Sequence, residues 1–110
     1  MNNQEVYDTV KLHLLTQKEK SENSVGQCLY RAPDGRKCAI GALIPDNIYS
    51  PLMEHKSVDG LATSFPIIKR FFRGIDFELL FELQVIHDKY GPNTWEKELA
   101  DTAKTFHLNP

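Results

Sequence analysis

Asp76-Phe77-Glu78-Leu79-Leu80-Phe81-Glu82-Leu83-Gln84-Val85-Ile86-His87-Asp88-Lys89-Tyr90 is the most hydrophobic run of the chain, and Gly91-Pro92 ends it. The Asp76 carboxylate suits the N-cap, where it accepts from the free N–H groups of the first turn, so the pattern predicts a helix over Phe77–Tyr90. Wound at helical pitch, the run carries two apolar stripes. Phe77, Phe81 and Val85 lie on one side, and Leu79, Leu83, Ile86 and Tyr90 lie roughly opposite. A helix apolar on both sides has to bury both. It is either the central helix of a domain or it lends one stripe to a partner chain, which makes Phe77, Phe81 and Val85 interface candidates.

Working outward, Asn93 and Glu96 have capping-box spacing, and Trp95, Leu99, Ala103 and Phe106 predict a last amphipathic helix. On the other side, Phe65, Ile68, Phe71 and Phe72 share one face of a helix over Phe65–Phe72. Lys69, Arg70 and Arg73 crowd its last turn, where positive charge complements the helix dipole, and Gly74 stops it. Ser50 and Pro51 open a short helix, since proline at the first helical position has no N–H to leave unpaired. Between Ser57 and Thr63 the signal is weak. At the N-terminus, Asn2 and Glu5 have capping-box spacing, and Val6, Tyr7, Val10 and Leu14 give a helix over Asn3–Lys18 one face to bury.

Between these helices lies a different pattern. Gln27-Cys28-Leu29-Tyr30-Arg31 is strand-like, Ala32-Pro33-Asp34-Gly35 has turn chemistry, and Arg36–Ala39 supplies a return segment, so the spacing predicts an antiparallel β-hairpin. In Cys38-Ala39-Ile40-Gly41-Ala42-Leu43-Ile44 the small residues Ala39, Gly41 and Ala42 imply close approach of another backbone, read here as a helix. The fold class expected is α+β: a helix-rich single globular domain over residues 1–110, with one antiparallel β-hairpin packed against four to five helices.

Composition narrows the function classes. The chain has 110 residues, 41% hydrophobic and 25% charged, and a formal charge of −2, so it has no overall basic field for wrapping nucleic acid. No run approaches the roughly 20 apolar residues of a membrane span. The start, Met1-Asn2-Asn3-Gln4-Glu5, has neither the basic end nor the apolar run of a secretory signal, and only two cysteines are present. Together these features lead to the expectation of a cytoplasmic protein.

The segment Cys28-Leu29-Tyr30-Arg31-Ala32-Pro33-Asp34-Gly35-Arg36-Lys37-Cys38-Ala39-Ile40-Gly41-Ala42-Leu43-Ile44-Pro45-Asp46-Asn47-Ile48-Tyr49 resembles a group of small uncharacterised proteins of tailed bacteriophages and bacterial genomes. Leu83-Gln84-Val85-Ile86-His87-Asp88 is similar to a second block of that group. The resemblance implies a phage or prophage origin, and with it a host protein or host complex as partner in the host cytoplasm, with interference in host machinery or host defence as the expected role. It implies no catalytic residue and no cofactor.

Three site readings follow from the residues themselves. Cys28 and Cys38 are soft ligands, but they lack Cys-x-x-Cys spacing, and nothing local brings His55 or His87 to them, so no metal is expected. A nucleophilic set of Cys38, His87 and Asp88 or Asp46 is the sharpest enzymatic reading. A hydrogen-bonded core histidine and buried thiols are the plainer one, and no catalytic residue is assigned. Tyr30, Arg31, Arg36 and Lys37 near the turn, with Lys69, Arg70 and Arg73 on the later helix, would form an anion or partner site if both groups face the same way. The expected function is therefore a non-catalytic accessory protein that binds a host macromolecule. A homodimer burying the second stripe is compatible with the same pattern, and the rival is a small-molecule, nucleotide or nucleic-acid binder using Arg31, Arg36 and Lys37, with hydrolytic chemistry at Cys38 and His87 as its catalytic form.

Overall fold

The computed structural model describes residues 1–110 and is built from helices and turns. Six α-helices follow in order: α1 (Asn3–Gln17), α2 (Ala39–Leu43), α3 (Val58–Ser64), α4 (Pro66–Phe71), α5 (Phe77–Lys89) and α6 (Trp95–Thr105). Short 3-10 turns lie at Pro51–Met53 and Pro92–Thr94. No helix is long and apolar enough to cross a membrane.

Local chemistry accounts for most helix boundaries. Asn2 and Glu5 form the capping box of α1, with the Glu5 N–H on Asn2 Oδ1 at 2.9 Å and the Asn2 N–H on Glu5 Oε1 at 3.0 Å. Asp76 Oδ1 accepts the Glu78 N–H at 2.9 Å to start α5, and Gly74 takes the positive φ that ends the preceding turn. The weak stretch after Ser57 is a helix, α3, because the Ser57 hydroxyl caps it through the Gly60 N–H at 3.0 Å. The second predicted capping box does not form. Pro92 sets a 3-10 turn instead, and the Thr94 hydroxyl donates to the Gly91 carbonyl.

The predicted β-hairpin is absent, so the fold is all-helical rather than α+β; the chain has no strand and no sheet. Antiparallel pairing is reduced to two isolated bridges, Glu22 with Cys28 and Arg31 with Lys37. Side chains intercept the backbone groups that a ladder needs. Glu54 takes the N–H groups of Tyr30 and Arg31, at 2.8 and 3.1 Å. On the return side, Cys38 is the N-cap of α2, its Sγ accepting the Gly41 N–H at 3.3 Å, so the chain turns helical at Ala39. The close approach expected at the small residues is real, but its partner is not a helix. A Cβ on Gly41 would lie 1.9 Å from the Tyr30 carbonyl oxygen.

One core of 23 buried residues holds these elements together, drawn from every helix and from Tyr30, Ile44, Met53 and Ile75. The molecule measures 33 × 33 × 19 Å. Its short dimension is about two helix diameters, so no helix can be enclosed on all sides. That thinness decides the fate of α5. Leu79, Leu80, Leu83 and Ile86 are buried, Phe77 and Val85 are half-buried, and Phe81 is 53% exposed. Tyr90, placed by pitch on the buried stripe, caps the helix and is exposed.

Candidate functional site

The structure brings Cys28, His87 and Asp88 together, with one candidate ligand atom from each lying within 4.8 Å of the others. Asp88 follows His87 on α5, and the Glu22–Cys28 bridge carries Cys28 alongside. Cys38 lies across the same cavity, a space of about 150 Å³ that Cys28, Tyr30, Val58, Phe81, Val85 and Asp88 also line. Asp46 belongs elsewhere, paired with Arg31 at 2.8 Å.

Hydrogen bonding fixes what this cluster can do. His87 is fully buried and stacked on Trp95, ring centroids 5.7 Å apart. Its Nε2 faces the Ser21 N–H at 2.9 Å. A backbone amide only donates, so Nε2 holds the lone pair and the proton sits on Nδ1, which donates to Asp88 Oδ1 at 2.8 Å. Gln84 Nε2 donates to the same oxygen at 2.8 Å, while Gln84 Oε1 accepts the Ile40 N–H at 3.1 Å. Burial pushes the Asp88 carboxyl up, but hydrogen bonds from His87 and Cys28, the electrostatic attraction of His87 and a hydrogen bond from Gln84 outweigh it and hold the group below its ordinary range. Asp88 is the anion of the cluster.

The thiols are the wrong form for nucleophiles. Burial, then the hydrogen bond to Asp88 and its charge, push Cys28 up to about 12. Burial pushes Cys38 to about 12 as well, against the Gly41 N–H that lowers it. The thiolate carries the nucleophilic chemistry, and neither sulfur is poised to form it near neutrality. The wiring also differs from a nucleophile–base–orienter series. Asp88 bonds both Cys28 and His87, and the second histidine nitrogen is closed by Ser21.

A metal meets the same obstacle. Coordination through Nδ1 would move the proton to Nε2 and set it against the Ser21 N–H, which is buried and has no freedom to turn. The donor set does not fit an ion without breaking that contact.

The basic residues divide into two groups with different surroundings. Arg31 pairs with Asp46, donates to the Ile44 carbonyl at 2.6 Å, and lies 4.6 Å over the Tyr49 ring. Arg36 grips Asp34 through Nε and donates to the carbonyls of Lys20 and Glu22. Lys37 is tied through its backbone to Gln17, and the Tyr30 hydroxyl donates to the Lys56 carbonyl. These arginines tether three loops to one another. Lys69, Arg70 and Arg73 are exposed and line a separate groove with Phe72 and Phe77, which Arg31, Arg36 and Lys37 do not reach.

Sequence reading missed Glu54, Gln84 and Ser21. Glu54 accepts from two backbone amides and from the Tyr49 hydroxyl at 2.5 Å, yet nothing local marks it. Gln84 does carry a signal, as a polar residue between Leu83 and Val85 in an apolar helix. Phe81 is the most exposed aromatic side chain and borders two depressions, the cavity above and a groove between α5 and α6. No protein-family model, curated protein or solved structure matches the chain.

Proposed function

We propose that this chain is a non-catalytic accessory protein of phage type that acts by binding a host protein through the outward face of α5. The observation that carries the reading is Phe81, 53% exposed at the middle of the Phe77–Phe81–Val85 stripe, with a depression on each side. Aromatic side chains beside pockets are the usual energetic centres of protein interfaces. Two further features support a binder over an enzyme. The cluster of Cys28, His87 and Asp88 is closed by its own hydrogen bonds, and the Arg31 and Arg36 guanidinium groups are already engaged by acceptors of this chain. The phage and host assignment is supported by the sequence resemblance alone.

The test compares wild type with Phe81→Ser as baits in extracts of candidate bacterial hosts. Phe81 is already half in solvent, so the variant should fold, as checked by its circular dichroism spectrum. A host protein retained by wild type and depleted at least tenfold on Phe81→Ser is the result expected. Equal recovery on both baits, or nothing specific on either, would overturn the reading.

A further inference from the structure

The charges around Phe81 indicate what kind of segment would seat there. The groove between α5 and α6 is about 360 Å³ and is lined by Glu78, Phe81 and Glu82 from one side and Thr102, Thr105 and Phe106 from the other. Two aromatic rings and two carboxylates are among its lining, with no basic residue among the six. Glu78 and Glu82 are both exposed, and neither belongs to any of the four ion pairs of the chain. They sit one turn apart on the same helix, about 6 Å along its axis. Beyond Phe81 the adjoining cavity is mixed, with Lys56 and His55 beside an Asp88 carboxylate already bonded to His87 and Gln84, so the acidic character belongs to the α5–α6 groove itself. A nucleic acid would bring phosphates against these acids, so the field disfavours it.

We infer that this groove receives a cationic amphipathic helix of a partner protein, which lays apolar residues over Phe81 and Phe106 and presents lysine or arginine to Glu78 and Glu82. The inference rests on the binding function proposed above and specifies the chemistry of its occupant. Basic residues spaced three or four apart on the incoming helix meet both carboxylates, because the spacing repeats that of α5. Apolar contact supplies the anchor. The rim acids set charge preference and association rate, and their effect fades with salt.

Two synthetic 16-residue helices test this, one of leucine and lysine and one of leucine and glutamate, with identical leucine positions. Each is titrated into the ¹⁵N-labelled full chain and followed by amide shifts, with affinity taken from the fluorescence anisotropy of labelled peptide. The leucine–lysine helix should bind with shifts confined to Glu78–Val85 and Thr102–Phe106. The paired variant E78Q/E82Q should weaken it about fivefold at low salt, the size expected for two rim pairs, and raising the salt to 0.5 M should remove that difference. The leucine–glutamate helix should show no shifts at Phe81.

If the glutamate helix binds there equally well, or E78Q/E82Q changes nothing, the charge inference is overturned while the binding face stands. Shifts from the lysine helix at other surfaces would also overturn it, as would dimerisation of the chain alone that E78Q/E82Q abolishes. If neither helix shifts the Phe81 amide, the inference fails. The Phe81→Ser comparison then shows separately whether the face binds anything.

Discussion

Gly41→Ala should destabilise the protein, although helix propensity alone predicts the reverse. Gly41 lies inside α2, where alanine is intrinsically favoured by about 1 kcal/mol. The added Cβ, however, would stand 1.9 Å from the Tyr30 carbonyl oxygen and 2.7 Å from its carbon. Relief needs a shift of more than an ångström, on the order of the shortfall from ordinary van der Waals contact. Tyr30 has little room to give. Its N–H is on Glu54, its carbonyl accepts the Cys38 N–H at 3.3 Å, and its hydroxyl is on the Lys56 carbonyl. Overpacking of about 3 kcal/mol, with the Cys38 bond worth about 1 kcal/mol, exceeds the propensity gain and leaves a net loss of about 3 kcal/mol. For a chain of this size that lowers the melting temperature by roughly 10 °C or more. Urea and thermal unfolding followed by circular dichroism measure it directly. A Gly41→Ala variant as stable as wild type, or more stable, would refute the claim that α2 is pressed onto the Tyr30 backbone.

Four further outcomes follow from the buried groups and their partners. Both thiols, raised to about 12 by burial, should alkylate with iodoacetamide at pH 8 at least a hundredfold more slowly in the folded chain than in urea; labelling of either at the unfolded rate would contradict their surroundings. Because folding raises these thiols from 9.0, the folded state keeps protons that the unfolded chain has lost. Stability should therefore be flat below pH 9 and fall between pH 9 and 12, and a Cys28→Ser variant, whose hydroxyl does not titrate there, should show a shallower decline. Asp88 is displaced the other way. Its contribution is present above its ordinary value of 3.8 and is lost as pH falls through the lower folded value, so Asp88→Asn should flatten that acid limb, and an unchanged limb would count against the cluster. Glu54→Ala strands the Tyr30 and Arg31 amides and should lose about 2–3 kcal/mol in urea unfolding, whereas a loss below about 0.5 kcal/mol would mean the carboxylate does not organise that loop.

How far the sequence could be read depended on how far apart the deciding groups lie. Asn2 with Glu5, Asp76 ahead of Phe77, and Gly74 after α4 are local decisions, and the helices they bound lie where the pattern puts them. The hairpin was a different case. The turn forms, with the Gly35 N–H on the Ala32 carbonyl, but no strand does, because Glu54, more than twenty residues downstream, takes the Tyr30 amide that a ladder would set against Cys38. Cys38 also gave no local sign of acting as a helix cap. The cluster was legible only in part. His87 sits in the buried setting that its helix position suggests, and Asp88, grouped with it in the sequence, is its partner and an internal acceptor. That Cys28 rather than Cys38 meets Asp88 depends on how Ser21–Cys28 folds back over α5, which no spacing encodes. The outward stripe was visible as a pattern. The thinness of the molecule, which leaves it outward, was not.

The account turns on both ring nitrogens of His87 being taken up within the fold, Nε2 by the Ser21 amide and Nδ1 by Asp88, which leaves neither free for a metal or a substrate. Long-range ¹H–¹⁵N correlation of the imidazole at pH 7 reads this directly. The expected spectrum has a protonated Nδ1 and an unprotonated Nε2 that keeps its bond to the Ser21 amide. A protonated Nε2, or a shift of the Nδ1 resonance on adding zinc, would contradict it.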